Sequence, residues 1–208
     1  MADILNGLLV LALEKGEFMI LTGNEDLRVI KTIEGIKSAF EELICQKDFE
    51  KITVKELSEK ARINKKTFYH YYADLYDLLA EMQVELSSGF LERVQHYRLP
   101  DDLSEVTREF FLYSSEQGEA YEKITCSGSY EYVRNKMIGQ VNDVTWGKSS
   151  VYQKLSDFDK KLIVNYANTV SLEIYKQWIA SGKVIALNEI INRAIILTSS
   201  GIQGFFEK

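Results

Sequence analysis

The sequence predicts an all-α protein. Apolar residues recur at spacings of three and four through most of the chain, two-residue alternation is scarce, and one proline, Pro100, interrupts 208 residues. Gly118, Gly128, Gly147 and Gly182 fall at or near the places where the helical patterns break. A chain of this length holds one large or two small domains.

Residues 1–24 form an N-terminal extension whose apolar run, Leu8 to Leu13, is too short to span a bilayer. The run is preceded by Asp3 and no basic residue, unlike a secretory signal. Two readings stay open for it: an extra amphipathic helix, or a true start at Met19. The first helix is expected from about Glu25 to Gln46, with Ile30, Ile33, Ile36, Phe40, Leu43 and Ile44 on its buried stripe and Gly35 as a mild defect.

Thr53 and Glu56 have capping-box spacing, with Ile52 and Leu57 at the staple positions. Val54, Leu57 and Ala61 share one apolar face of the short helix that follows. Asn64 is the next N-cap, stapled by Ile63 and Phe68. Only Arg62 and Ile63 separate Ala61 from that cap, so two short helices must meet at a sharp turn. Asp74 caps the next helix, expected to run to about His96 ahead of Leu99-Pro100, with Asp77 complementing its dipole. Further helices are expected near 102–116, 118–126, 129–146, 156–181 and 187–206, the last two joined by Ser181-Gly182-Lys183.

The second of the short helices has two chemical faces. Phe68 and Tyr72, four apart, point inward, which leaves Lys65, Lys66, Thr67, Tyr69 and His70 outside. Lysines and hydroxyls on the first turn of a helix suit a major groove, where they meet phosphates and base edges. Charge agrees. The chain carries 25 basic and 31 acidic residues. Residues 51–72 hold six of the basic residues and two of the acidic ones, leaving 19 against 29 elsewhere, so a basic island sits in an acidic protein.

Residues 26–82 resemble the DNA-binding domain of the tetracycline-repressor (TetR) family of bacterial transcriptional regulators. The resemblance rests on Ile52-Thr53-Val54, the turn Ala61-Arg62-Ile63-Asn64, the aromatic run Lys66-Thr67-Phe68-Tyr69-His70-Tyr71-Tyr72, and Asp77-Leu78-Leu79. The string from Lys65 to Tyr72 is similar to the branch near dihydroxyacetone-kinase regulators. Arg62 stands where the family usually has glycine, and Leu75 where it often has a phosphate-facing lysine, so that lysine contact is not carried over; the helix N-terminus there can still offer N–H groups.

The resemblance implies a helix-turn-helix head over 25–73 and a helical ligand-sensing and dimerisation domain over 74–208. The implied DNA contacts are Thr53, Arg62, Asn64, Lys65, Lys66, Thr67, Tyr69, His70 and Tyr71. The implied partners are a double-stranded, palindromic operator, a second copy of the chain joined through the last two helices, and a small-molecule effector. Aromatic residues of the middle helices, Phe111, Tyr113, Tyr121, Tyr130, Trp146 and Tyr166, with Met137, are the expected lining of an effector pocket. The function implied is a repressor released from its operator by that ligand. The alternative is a DNA-binding regulator controlled by a protein partner or lacking a small-molecule ligand.

Enzymatic chemistry has no site in this sequence. His70 and His96 lack metal-ligand spacing, and no phosphate loop or H-E-x-x-H pattern occurs. Glu41-Glu42 and Asp101-Asp102 read as solvated faces or helix starts. Two isolated cysteines, Cys45 and Cys126, fit a reducing cytoplasm, and no cofactor, metal or membrane partner is expected.

Overall fold

The computed structural model describes residues 26–206, so both readings of residues 1–24 lie outside it. The described residues form helices and turns and no strand. In chain order the α-helices are α1 (Leu27–Gln46), α2 (Val54–Lys60), α3 (Lys65–Tyr71), α4 (Leu75–Val94), α5 (Leu103–Glu116), α6 (Glu119–Cys126), α7 (Glu131–Thr145), α8 (Ser150–Gln153), α9 (Asp157–Ala180) and α10 (Leu187–Phe206). Single 3₁₀ turns stand at Phe49–Lys51, Gly128–Tyr130 and Trp146–Lys148. The sequence pattern did not foresee these turns or the one-turn helix α8, because none is long enough to show a period.

The described residues divide into two compact units. One comprises residues 26–88 and 127–133, the other 89–126 and 134–206. The division falls inside α4, and not at residue 73 where the sequence reading set it.

The reason lies in the packing of the first unit. α1 buries Ile33, Ile36, Ala39, Phe40, Leu43 and Ile44. These belong to a core that also takes Phe49, Ile52, Leu57, Phe68, Tyr72, Leu78, Leu79 and Met82. The first half of α4 thus carries head core residues. A polar clasp reinforces it: Lys37 Nζ of α1 lies 2.7 Å from Glu81 Oε1 of α4 and also bonds Glu85. Tyr72 donates its hydroxyl to the same Glu81 oxygen at 3.4 Å. Burial pushes the Glu81 carboxyl up despite the nearby ammonium. Burial also opposes the charge on Lys37, yet its bonds to the two glutamates hold it above the ordinary lysine value.

Residues 127–133 join this unit through Tyr130, which is fully buried with its ring 5.8 Å from Phe49 in an edge-on contact. Phe49 in turn meets Tyr76 at 4.7 Å and Phe40 at 6.3 Å, so one aromatic in the turn after α1 links three neighbours.

The second unit has two apolar clusters. One gathers Leu99, Leu103, Trp146, Ile163, Ala167 and Ile202; the other gathers Phe111, Tyr175, Trp178, Ile190, Ile191 and Ala194. α10 packs on both α5 and α9. The α9–α10 connection uses Gly182 at φ 73° and Lys183 at φ 59°, and the Trp178 indole closes it by donating to the Ile185 carbonyl at 2.8 Å. Lys183 there bonds Glu122 and lies 5.8 Å from the Trp178 ring centre.

The outward side of α9 and α10 remains apolar in places: Phe158, Leu162, Tyr166, Ile196 and Leu197 are exposed, Phe158 by 74%. Tyr166 crosses from α9 to α10 and donates to the Leu197 carbonyl at 2.8 Å. Its ring lies over Gly201, where a Cβ would meet the phenol oxygen at 2.7 Å, so only glycine allows that approach. No described helix is long and apolar enough to cross a membrane.

Candidate nucleic-acid interface

The helix-turn-helix is built by local hydrogen bonds that the sequence specifies. Thr53 Oγ1 accepts from Glu56 N at 3.2 Å and starts α2. Glu56 does not turn back on Thr53; its carboxylate takes the ammonium of Lys47 at 2.7 Å. α2 ends in a Schellman motif. Ile63 N donates to Ser58 O at 2.9 Å and Arg62 N to Glu59 O at 3.2 Å, which puts Arg62 at the left-handed position with φ 57°. Asn64 Oδ1 then accepts from Thr67 N at 2.8 Å and lies 3.1 Å from the Thr67 hydroxyl, which starts α3.

These bonds aim α3. Phe68 and Tyr72 are buried at 0% and 2% exposure, and their rings meet at 5.7 Å. Lys65, Lys66, Tyr69 and His70 are exposed, Thr67 and Tyr71 half-buried. Tyr69 is 56% exposed while its ring edges onto Phe68, so its hydroxyl is presented by a braced ring. The Tyr71 ring leans on His70 at 4.9 Å. Thr53 and Asn64 spend side-chain oxygen on caps, which leaves the Thr53 O–H and the Asn64 amide N–H groups as donors for an outside acceptor.

Ion pairing sharpens the basic island. Lys60 pairs with Glu42 of α1, Lys51 with Asp48 at 3.1 Å and Lys55 with Glu59 at 3.9 Å. Three of the six basic residues of segment 51–72 therefore have an acidic partner. Arg62, Lys65 and Lys66 form no ion pair among the described residues, and all three are exposed. The uncompensated positive charge is concentrated around Asn64. Counting residues by sequence window could not find this, because Glu42 and Asp48 lie outside the window.

The start of α4 is the opposite case. Asp74 Oδ1 accepts from Tyr76 N at 2.8 Å and Asp77 N at 2.9 Å, while Asp77 Oδ2 takes Ala73 N at 3.0 Å. The N–H groups expected to serve a phosphate there are largely occupied, and by two carboxylates that repel one. This corrects the sequence expectation.

The residues expected to line an effector pocket do not form one group. Tyr130 sits in the first unit against Phe49. Phe111 belongs to the cluster around Tyr175, and Trp146 to the cluster around Ile163. Tyr113 and Tyr121 meet at 6.1 Å, and the Tyr121 hydroxyl lies 3.0 Å from Ser114 Oγ. Burial pushes the Tyr113 phenol up to about 12. Met137 is half-buried on α7, and Tyr166 is engaged with Leu197. An open surface cavity of about 350 Å³ is lined by Glu173, Ile174, Lys176, Gln177 and Ala180, none of them expected. No group of three or more His, Cys, Asp or Glu residues among the described residues is arranged for a metal ion.

Comparison with known proteins agrees with this geometry. Residues 36–82 match the family model for bacterial regulatory proteins of the tetR family. An uncharacterized HTH-type transcriptional regulator, YxbF of Bacillus subtilis (strain 168), is 29% identical over 80 residues, which cover 38% of this chain and 21% of that protein. The chain thus matches about a fifth of that relative's length. Among solved structures, the fatty acid degradation regulator FadR from Bacillus halodurans superposes with a TM-score of 0.60 at 12% identity, covering 82% of this chain and 95% of that one. FadR from Bacillus subtilis, in complex with stearoyl-CoA, gives 0.60 at 16% identity, with 81% and 98% covered. These likenesses do not single out one branch. Residues 36–82 thus match the tetR family of bacterial regulatory proteins, and the chain shares its all-helical fold with the two FadR structures.

Proposed function

We propose that this protein is a cytoplasmic, dimeric, sequence-specific DNA-binding transcriptional regulator, a repressor released from a palindromic operator by a small-molecule ligand. The observation that carries the DNA reading is the split of α3 into a buried aromatic side and an exposed polar side, beside three cations that form no ion pair among the described residues. Unpaired cations displace counterions from a phosphate backbone, and exposed hydroxyls and lysines reach base edges.

The dimer is supported by the exposed apolar residues of α9 and α10, a face that a twofold copy would cover. Two heads so joined would read half-sites about one DNA turn, or a multiple, apart. Release by a ligand is a population shift: the ligand changes operator affinity by the ratio of its affinities for the two states. Stearoyl-CoA bound to FadR of the same fold supports a small-molecule effector as compatible with this architecture.

Selection of duplex DNA from a random pool tests the first claim. The expected winners are palindromic sites bound with strong salt dependence, and a pool without enrichment overturns it. A thermal-shift screen of small organic acids, acyl thioesters and aromatics tests the second. A compound that raises the melting temperature and weakens binding to the selected site supports release. Compounds that never alter operator affinity favour control by a protein partner.

A further inference from the structure

Two residues other than glycine adopt left-handed backbone among the described residues, Arg62 at φ 57° and Lys183 at φ 59°. Both are long cations at helix C-termini. The left-handed conformation is strained for a residue with a Cβ, and glycine would adopt it without that strain. Their surroundings differ. Lys183 is held by the protein itself, through Glu122 and the Trp178 ring. Arg62 forms no ion pair among the described residues, and its side chain is exposed. The Schellman hydrogen bonds hold the Arg62 backbone in place, but its guanidinium has no acidic partner among the described residues, and a strained, exposed arginine of that kind points to an external contact.

The place of the strain narrows the partner. Arg62 is two residues before Asn64, the cap of the reading helix, and shares that neighbourhood with Lys65 and Lys66, which form no ion pair among the described residues. Nearby lysines at 51, 55 and 60 are each matched by an acid. The other end of α3 leads to the start of α4, where Asp74 and Asp77 occupy the N–H groups and Leu75 supplies no charge. Phosphate contact on that side is disfavoured, which leaves the flank at the α2–α3 turn as the cationic one.

We infer that Arg62 is a DNA-backbone anchor: the turn between α2 and α3 keeps a strained arginine where glycine fits better because its guanidinium holds a phosphate beside the groove that α3 reads. This rests on the DNA reading proposed above. A planar guanidinium can hold two phosphate oxygens at once, which fixes the register of α3 as well as adding affinity. A phosphate contact carries no base information, so it positions without specifying.

The test uses the duplex site selected by the wild-type chain, with anisotropy measured over a range of KCl. Arg62→Gly and Arg62→Asn both accept left-handed backbone without the charge. They should raise the melting temperature, weaken binding about tenfold at moderate salt, and reduce the slope of log affinity against log salt by about one per reading head. Site preference should not change. Arg62→Lys should keep the slope and gain no stability. Unchanged affinity and slope in Arg62→Gly, beside a clear loss in Lys66→Ala, overturns the inference and leaves the DNA reading standing. Altered site preference at the wild-type slope overturns it as well, since it would mean a base contact. A wild type that enriches no site overturns the DNA reading and this inference with it.

Discussion

The outward face of α3 and the outward face of α9–α10 are both incomplete surfaces, but of opposite kinds. On α3 Phe68 is turned inward, as is Tyr72 just beyond it, Tyr71 is half-buried, and what remains outside is mostly cationic and hydroxylic. On α9 and α10 the exposed set is Phe158, Leu162, Tyr166, Ile196 and Leu197. Isolated exposed apolar residues are ordinary, but a stripe of them on two adjoining helices is not. Each face suits the partner proposed for it: a hydrated polyanion for the first, a desolvating apolar surface for the second. Their failures should therefore separate cleanly.

The largest effects should come from removing the supports of the first face. Phe68→Ala empties a fully buried site and should cost about 3–5 kcal/mol of head stability in denaturant unfolding. Lys66→Ala and Tyr69→Phe should leave stability within about 0.5 kcal/mol and lower operator affinity instead. Equal stability losses in all three would erase the distinction between support and reading face. Lys37→Met should cost about 3 kcal/mol, because it leaves Glu81 buried without its cation.

The second face breaks differently. Leu162→Glu combined with Leu197→Glu should yield a monomer in sedimentation, with helical circular dichroism retained and operator affinity greatly weakened. A variant that stays dimeric would move the interface elsewhere.

Alkaline pH offers a smaller test of the interior behind both faces. Tyr72, Tyr130 and Tyr175 are raised above 10.0, mainly by burial, and Lys37 lies above 10.5. In each case the folded value exceeds the unfolded one, so the folded state holds its proton more tightly. The stability tied to these protons is complete below the unfolded values and is lost as pH climbs toward the folded ones. Melting temperature should fall from about pH 9.5 upward, and a flat profile to pH 11 would contradict the burial. The smallest effect concerns Cys126, whose thiol burial lifts to about 11. Alkylation mapped by mass spectrometry should modify it slowly at neutral pH in the native protein; rapid native labelling would contradict its raised thiol and half-buried position.

Most of the local structure was legible in the chain because its causes are local. Thr53 and Asn64 cap where their spacing indicated, and Arg62 occupies the left-handed turn position that the pattern assigned to glycine. The longer helices end within about two residues of their expected limits, as caps and the proline dictate. What escaped was set by partners far apart in sequence. Glu42 neutralises Lys60, Lys47 draws Glu56 away from its capping box, and Tyr130 joins Phe49 across 81 positions. None of these leaves a period or a short-range spacing. The aromatics of the middle helices could be found by type, but type alone could not sort Tyr130, Phe111 and Trp146 into three different environments.

The left-handed turn at Arg62 also has an evolutionary reading. Every arginine codon of the CGN and AGR sets becomes a glycine codon by one base change, so the unstrained turn is always a single mutation away. A library selected only for thermal survival should find Arg62→Gly early, and one selected for operator occupancy should purge it. The opposing outcomes of those two selections would measure how far this head trades durability for grip.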